Sequence, residues 1–245
     1  MTTPTFLSPA LPSELLSYIL DHHVYPTTLI ICSSRAEFLA SLVQDVRDHQ
    51  HIITADPDRR EPYEGESPHQ DPATANTGVK HALLSSPLYQ VAASRHIRVI
   101  YAPAVTHLRA HLSVFSPGES RIPAPPRAAV TARGSPCIIL YGFLKQHRDT
   151  SEWSAQGLGN TASILVDVAH RLSWRALLIE PRDGLSGTAL GDLLQETVPV
   201  LNGGARRLGP DSEGAWTGRT VEIGRILGRW FQFQTAQWDM SDSHD

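Results

Sequence analysis

Four apolar runs of strand length, spaced along the chain with helical segments between them, constrain its fold more than any other feature. They are Thr27–Cys32, Ile97–Tyr101, Cys137–Tyr141 and Arg175–Ile179. Each reads as a buried strand, and Cys137–Tyr141 is the clearest. Between them, apolar residues recur every three or four positions, the helical period. Arg35–Arg47 carries Phe38, Leu39, Leu42, Val43 and Val46, and either Ser33 or Ser34 can cap it. His81–Ala93 carries Leu83, Leu84, Leu88 and Val91, interrupted by Pro87. Pro103 opens a helix with Val105, Leu108, Leu112 and Phe115 on one face. Gly159–Leu172 carries Ala162, Leu165, Ala169 and Leu172.

This alternation runs from residue 27 to residue 179 and predicts a parallel sheet flanked by helices. Upstream, Leu11–Leu20 reads as a short helix capped by Ser13, with Leu15, Leu16, Ile19 and Leu20 as its stripe. His51–Thr54 reads as a further short strand. Downstream of 179 only strands are expected: Val198–Leu201, then a hairpin of Arg219–Leu227 and Arg229–Phe233 around Gly228. That predicts an antiparallel pair at the C-terminal edge. Residues 56–78 and 116–136 read as flexible insertions, 142–153 as a polar loop, and 239–245 as a frayed tail. No internal repeat is visible, and the whole chain, 1–245, reads as one domain.

The 245 residues are 41% hydrophobic and 19% charged, which excludes wholesale disorder. No apolar run reaches the roughly 18 residues of a membrane helix. Met1–Leu20 has no basic stretch ahead of its apolar residues, which argues against a secretory signal. Cys32 and Cys137 each sit in an apolar run and read as buried free thiols in a reducing compartment. The net charge is −4, so a globally basic nucleic-acid binder is excluded. A local basic face is not. Residues 81–150 hold 8 basic and 2 acidic side chains, against 5 and 11 in 1–80 and 8 and 12 in 151–245. Of the 21 basic residues, 19 are arginine, whose planar fork suits phosphate.

The turn after the strand at 27–32 is where an α/β nucleotide-binding protein carries its phosphate loop. Such a loop needs glycines, so that backbone N–H groups can cradle phosphates, and a lysine that reaches the outer oxygens. Here the turn is Ser33-Ser34-Arg35-Ala36-Glu37, with no glycine, no lysine and an acid that repels the anion. The acid that would hold Mg²⁺ at the end of a core strand is missing too, since 137–141 ends in Tyr141-Gly142. Both elements of nucleotide hydrolysis are therefore absent from their expected places.

Other signatures fail on spacing. Gly184-Leu185-Ser186-Gly187 is not a nucleophile elbow. Gly157-Leu158-Gly159 lacks the third glycine of a dinucleotide fingerprint. His107 and His111 lie four apart on a helix but lack the glutamate of a metalloprotease, and they read as surface histidines. What remains is a set of cations in loops at the carboxyl ends of core strands, where α/β sheets take ligands. They are Lys145, His147 and Arg148 in 142–153, Arg182 in 181–191, and Arg206 and Arg207 in 203–210.

The order of these elements resembles the RecA core. Ile97-Arg98-Val99-Ile100-Tyr101-Ala102-Pro103 with His107-Leu108-Arg109-Ala110-His111-Leu112 is similar to the middle of small recombinase paralogues that partner SWIM-domain proteins. So is Cys137-Ile138-Ile139-Leu140-Tyr141-Gly142-Phe143-Leu144 with the helix Thr161–Arg171. The resemblance covers about residues 27–235. It implies a RecA-like three-layer sandwich with a degenerate phosphate loop, in a Shu-type complex of the nucleus. Such a subunit pairs with another paralogue or a SWIM-domain protein. It helps a recombinase assemble on single-stranded or forked DNA in homologous recombination repair, without catalysis, cofactor or membrane contact. By element order, the family's two DNA-binding loops fall at 142–153 and 181–196.

Phe233-Gln234-Thr235-Ala236 matches the Phe-x-x-Ala pattern by which partners dock on recombinases. Its alternation with Phe231 favours a core role. Two other readings stand beside the first. One is an accessory subunit of Elongator, whose RecA-like ring binds transfer RNA. The other is a hydrolase built on a serine–histidine or cysteine–histidine pair formed in space.

Overall fold

The computed structural model describes residues 3–22, 24–55, 81–85, 87–125, 135–182, 189–201 and 219–240. Six parallel strands form its centre: β1 (Thr5–Leu7), β2 (Thr27–Ile31), β3 (Ile97–Tyr101), β4 (Cys137–Tyr141), β5 (Arg175–Ile179) and β8 (Gln232–Gln234). Their order across the sheet is β3-β2-β4-β5-β1-β8. The chain first steps toward the β3 edge, from β1 to β2 to β3, and then back through β4 and β5 to β8. Right-handed crossovers put helices of the first leg on one face and those of the return leg on the other. The protein is therefore an α/β three-layer sandwich.

The burial pattern follows that division with a period of two. Leu29, Ile31, Ile139, Leu177 and Ile179 pack with Leu15 and Ile19 of α1 (Pro12–Asp21) and Phe38 of α2 (Arg35–Ala55). Ile30, Ile138, Leu140 and Leu178 point the other way. They pack with Leu108 and Leu112 of α5 (Val105–Ser113) and with the later helix Ala155–Leu172. Central strands buried on both faces must be apolar nearly throughout, which is why β4 and β5 match the sequence expectation to the residue; β3, at the sheet edge and only partly buried, matches it too because its β-branched run Ile97–Tyr101 announces a strand.

Several expectations are corrected. β1 was not foreseen: three residues are too few for a periodic signal, and burial between β5 and β8 makes it a strand. His51–Thr54 is not a strand but the last turn of α2. The helix at 81–93 splits at Pro87 into α3 (Ala82–Ser85) and α4 (Leu88–Ser94), because proline lacks the N–H donor a continuous helix needs there. α1 is not capped by Ser13. Its cap is Leu11, whose N–H donates to the Glu14 carboxylate at 2.7 Å, with Pro12 in the first turn. Ser34 caps α2: its Oγ accepts from Glu37 N at 3.2 Å, and Ser34 N donates to Glu37 at 2.8 Å, a reciprocal box.

The segment expected to be a loop at 142–153 opens with a helical turn, α6 (Phe143–His147), and α7 (Ala155–Leu172) starts four residues earlier than its apolar stripe indicated. Leu190–Gln195 forms α8. The C-terminal hairpin does not form. Thr220–Glu222 is β7, and it pairs antiparallel with β6 (Thr197–Pro199) in a separate two-stranded sheet. Ile223–Leu227 is α9, because Ile223, Ile226 and Leu227 bury at helical spacing. β8 runs parallel to β1. Phe233 packs edge-on to Phe6, ring centroids 6.0 Å apart, and Ala236 is buried, so the Phe-x-x-Ala stretch belongs to the fold.

The first insertion, 56–78, lies outside the described residues, as do 126–134 of the second. The described part of the second is anchored: Ile122 O accepts from Tyr25 Oη at 3.3 Å, and Pro123 O accepts from His96 Nδ1 at 2.7 Å. Residues 239 and 240 of the expected tail belong to α10 (Gln237–Met240). Cys32 and Cys137 are buried free thiols, and burial pushes both well above their ordinary pKa.

Candidate functional site

The connection from β2 leaves toward β3, and the connection from the adjacent β4 leaves toward β5. Where neighbouring parallel strands send their chains apart, a crevice opens outside their carboxyl ends. One is found here, of about 350 Å³, lined by Cys32, Ser33 and Glu37 from the β2–α2 turn and by Gly142, Lys145 and Gln146 from the β4–α6 turn.

Gly142 makes that second turn. Its φ is +86°, a left-handed conformation that L side chains rarely adopt, and its N–H donates to Ile179 O at 2.9 Å. Beneath the turn lies Glu180, 3% exposed, at the end of β5. Its carboxylate accepts from the N–H groups of Leu144 at 2.7 Å and Lys145 at 3.2 Å. Burial nevertheless dominates and pushes its pKa up to about 7. An acid at the end of a core strand was sought after 137–141. It stands one strand over, and it is spent on tying α6 to the sheet.

The cations expected to bind DNA differ sharply in what they touch. Lys145 is exposed at the crevice mouth. His147 is not: it has no exposed surface. Its Nδ1 lies 2.7 Å from Phe143 O and must donate, which leaves Nε2 to accept from the Thr161 hydroxyl at 2.9 Å. Burial lowers its pKa and keeps it neutral. A neutral, enclosed imidazole offers nothing to a phosphate.

Arg148 forks onto Glu196 at 2.5 and 2.7 Å and lies over the Trp153 ring, 4.7 Å from its centroid. Arg182 is 8% exposed and pairs with Glu14 and with Asp239, the latter at 3.5 Å. Both arginines are engaged internally. Arg206 and Arg207 lie outside the described residues. Of the four that are described, the structure brings Lys145 alone to the crevice mouth.

Behind this face lies a partly buried network with no signature in the sequence. Arg109 Nε donates to Thr161 Oγ1 at 2.8 Å, and its Nη2 reaches Glu152 at 2.6 Å and Gly157 O at 3.0 Å. Gly157 is required there, since a Cβ would stand 2.1 Å from Glu152 O. The hydroxyl–imidazole pair of Thr161 and His147 sits inside this network with neither residue exposed, so it cannot meet a substrate. His107 and His111 are exposed on α5. No group of three His, Cys, Asp or Glu side chains converges as a metal site among the described residues.

The fold and the crevice define an α/β protein whose candidate ligand face lies at the carboxyl ends of a parallel sheet. No protein-family model matches the sequence, and no curated protein matches it. Among solved structures, the chain is similar to a DnaB-like replicative helicase, described with its interactions with primase, at 8% identity and a TM-score of 0.37. The match covers 75% of this chain and 40% of the helicase chain, so this protein spans less than half the length of that neighbour. The fold assignment rests on the strand order and not on this similarity.

Proposed function

We propose that this protein is a non-catalytic RecA-like subunit of a recombination-accessory complex, pairing with a paralogue or a SWIM-domain protein and supporting a recombinase on DNA. The reading rests first on the order of strands and helices. The observation that carries the non-catalytic part concerns two strand-to-helix turns. The sheet begins at β1, one strand earlier than expected, so the phosphate-loop position must be sought after β1 as well as after β2. Ser8-Pro9-Ala10-Leu11 has no glycine and no lysine, and neither has Cys32-Ser33-Ser34. The first turn is also packed shut: Ala10 O accepts from Tyr141 Oη at 2.9 Å and from Arg182 N at 3.0 Å. A triphosphate has neither a cradle nor room there.

For DNA, the internal pairing of Arg148 and Arg182 moves the expected contacts to Lys145, Arg206 and Arg207. The test measures single-strand DNA affinity against salt for the full chain with its co-purified partner. Replacing those three residues by alanine should reduce the slope of log K against log salt by about 2, at roughly 0.7 per lost phosphate contact. An unchanged slope overturns the DNA assignment. Saturable ATP binding with turnover overturns the non-catalytic one. Co-purification with Elongator subunits in place of a SWIM-domain protein or a recombinase overturns the choice of complex.

A further inference from the structure

Part of the basic excess in residues 81–150 lies away from the crevice, at the other end of the sheet. Arg95, Arg98 and Arg121 gather at the amino end of β3. Arg95 caps the carboxyl end of α4, and Arg98 is the second residue of β3. Arg121 lies two residues before Pro123, whose O accepts from His96 Nδ1 at 2.7 Å. The same end of the sheet carries Arg171 in the last turn of α7, Arg175 at the start of β5, and Arg229 and Trp230 just ahead of β8. Phe115 joins the two groups. The Arg98 guanidinium lies over its ring, 5.5 Å from the centroid, and the ring meets Trp174, next to Arg175, at 5.7 Å.

The acids placed at this edge are Asp21, Glu119 and Asp167, the last of them short of the end of α7. Two of the arginines are engaged: Arg98 on Phe115 and Ser116 O, and Arg175 on the Tyr18 hydroxyl. Arg95, Arg121, Arg171 and Arg229 are exposed, and none has an ion pair among the described residues. Cations at helix carboxyl ends complement the helix dipole, which accounts for Arg95 and Arg171. A dipole explains neither Arg121, which lies on no helix, nor an exposed tryptophan in the same row. Trp230 is 36% exposed and borders a groove of about 720 Å³, which Ile164, Val166, His170 and Arg171 also line. It therefore stands between Arg229, its neighbour in the chain, and Arg171, which shares its groove.

From this row we infer that the amino edge of the sheet is a surface for single-stranded DNA, with arginines on the phosphates and a base stacked on Trp230. The inference rests on the proposed role on DNA and adds a second face, at the opposite end of the strands from Lys145. The occupant is a polyanion because four exposed cations have no counter-charge among the described residues. It is a single strand because a duplex keeps its bases stacked inside and leaves Trp230 without a partner. From β3 to β8 the sheet crosses five strand spacings, about 24 Å, which gives room for several nucleotides.

The test follows the fluorescence anisotropy of a labelled oligothymidylate on the full chain with its co-purified partner, across a salt series. Replacing Arg95, Arg121, Arg171 and Arg229 together by alanine should lower the slope of log K against log salt by about 3, at roughly 0.7 per lost phosphate contact. Trp230→Ala should weaken binding by about tenfold at unchanged slope, with Trp230→Phe close to the parent. On an abasic strand of equal length, Trp230→Ala should bind like the parent. All five positions are exposed, so circular dichroism should show the variants folded. A parental slope in the quadruple variant, or parental affinity of Trp230→Ala for oligothymidylate, overturns this surface and leaves the DNA role to the Lys145, Arg206 and Arg207 variant. Failure of the parent to bind overturns both. Tighter binding of a duplex or of oligouridylate overturns the assignment to single-stranded DNA.

Discussion

The turns after β1 and β2 share a composition and differ in their surroundings. Neither holds glycine or lysine, and both lead from a parallel strand into a helix on the same face of the sheet. The turn after β1 is sealed. Ala10 is bonded on both sides, Ser8 Oγ accepts from Ala236 N at 2.9 Å, and Pro9 O accepts from Trp238 Nε1 at 2.9 Å. Arg182 closes it from beneath by pairing with Glu14 and Asp239. Among the described residues the turn after β2 has no such cover, and it opens onto the crevice. The contrast shows that access at the carboxyl edge of this sheet is set by what the C-terminal segment packs against, and not by the composition of the turn.

The contrast can be broken by stability measurements on either side of it. The largest effect is expected at Arg182. Replacing it by alanine leaves the partly buried Glu14 carboxylate without its ion pair and should cost about 3 kcal/mol or more in urea unfolding. A neutral Arg182→Ala would show that the sealed side is not held by this contact.

Glu180, under the open side, gives the next effect, and its sign can be worked out. Its folded pKa is raised from 4.5 to about 7, so the fold favours the protonated form. Its contribution to stability is fully present below pH 4.5 and is lost as pH rises through 7. Over that window the loss is on the order of 3 kcal/mol. Glu180→Gln should remove this dependence, so that the stability difference between variant and parent shifts in the variant's favour from pH 4.5 to 7. A difference that stays constant with pH would mean the carboxylate is better compensated than its burial indicates.

Tyr141→Phe removes a side-chain bond, Tyr141 Oη to Ala10 O, that crosses from the open side to the sealed one. It should cost about 1 kcal/mol by urea unfolding, a net buried hydrogen bond, since Ala10 O keeps its bond from Arg182 N. The smallest effect is expected at Lys145, which is exposed at the mouth. Lys145→Ala should change stability by no more than about 0.5 kcal/mol. A larger loss would mean that Lys145 is part of the scaffold and not free for a ligand.

The sheet was largely legible in the sequence, and the reason is physical. β4 and β5 lie between two layers, so their buried residues must be apolar, and a continuous apolar run of strand length announces itself; the edge strand β3 shows through its β-branched residues. β1 and β8 have three residues each, and their strand character comes from pairing, β1 with β5 and β8, and β8 at the sheet edge with β1. Ile223–Leu227 was read as a strand because apolar residues crowd there, although the spacing of Ile223, Ile226 and Leu227 is that of a helix.

The candidate site was legible as a place but not as a set of residues. Carboxyl ends of parallel strands were the right edge to examine, and Lys145 is there. His147, Arg148 and Arg182 were grouped with it because sequence shows charge and not partners. Glu37 was noted only as an obstacle to phosphate, and Gln146 not at all, since an amide carries no signal until its surroundings are known.

By itself, then, the sequence determined the layered α/β architecture, the lack of glycine and lysine in the turns after β1 and β2, and the burial of both thiols, because each follows from local composition. Which cations face solvent, which turn is closed, and where an acid and a lysine stand across one crevice were decided by the tertiary structure. Those properties depend on side chains far apart in the chain, and the strand order alone brings them together.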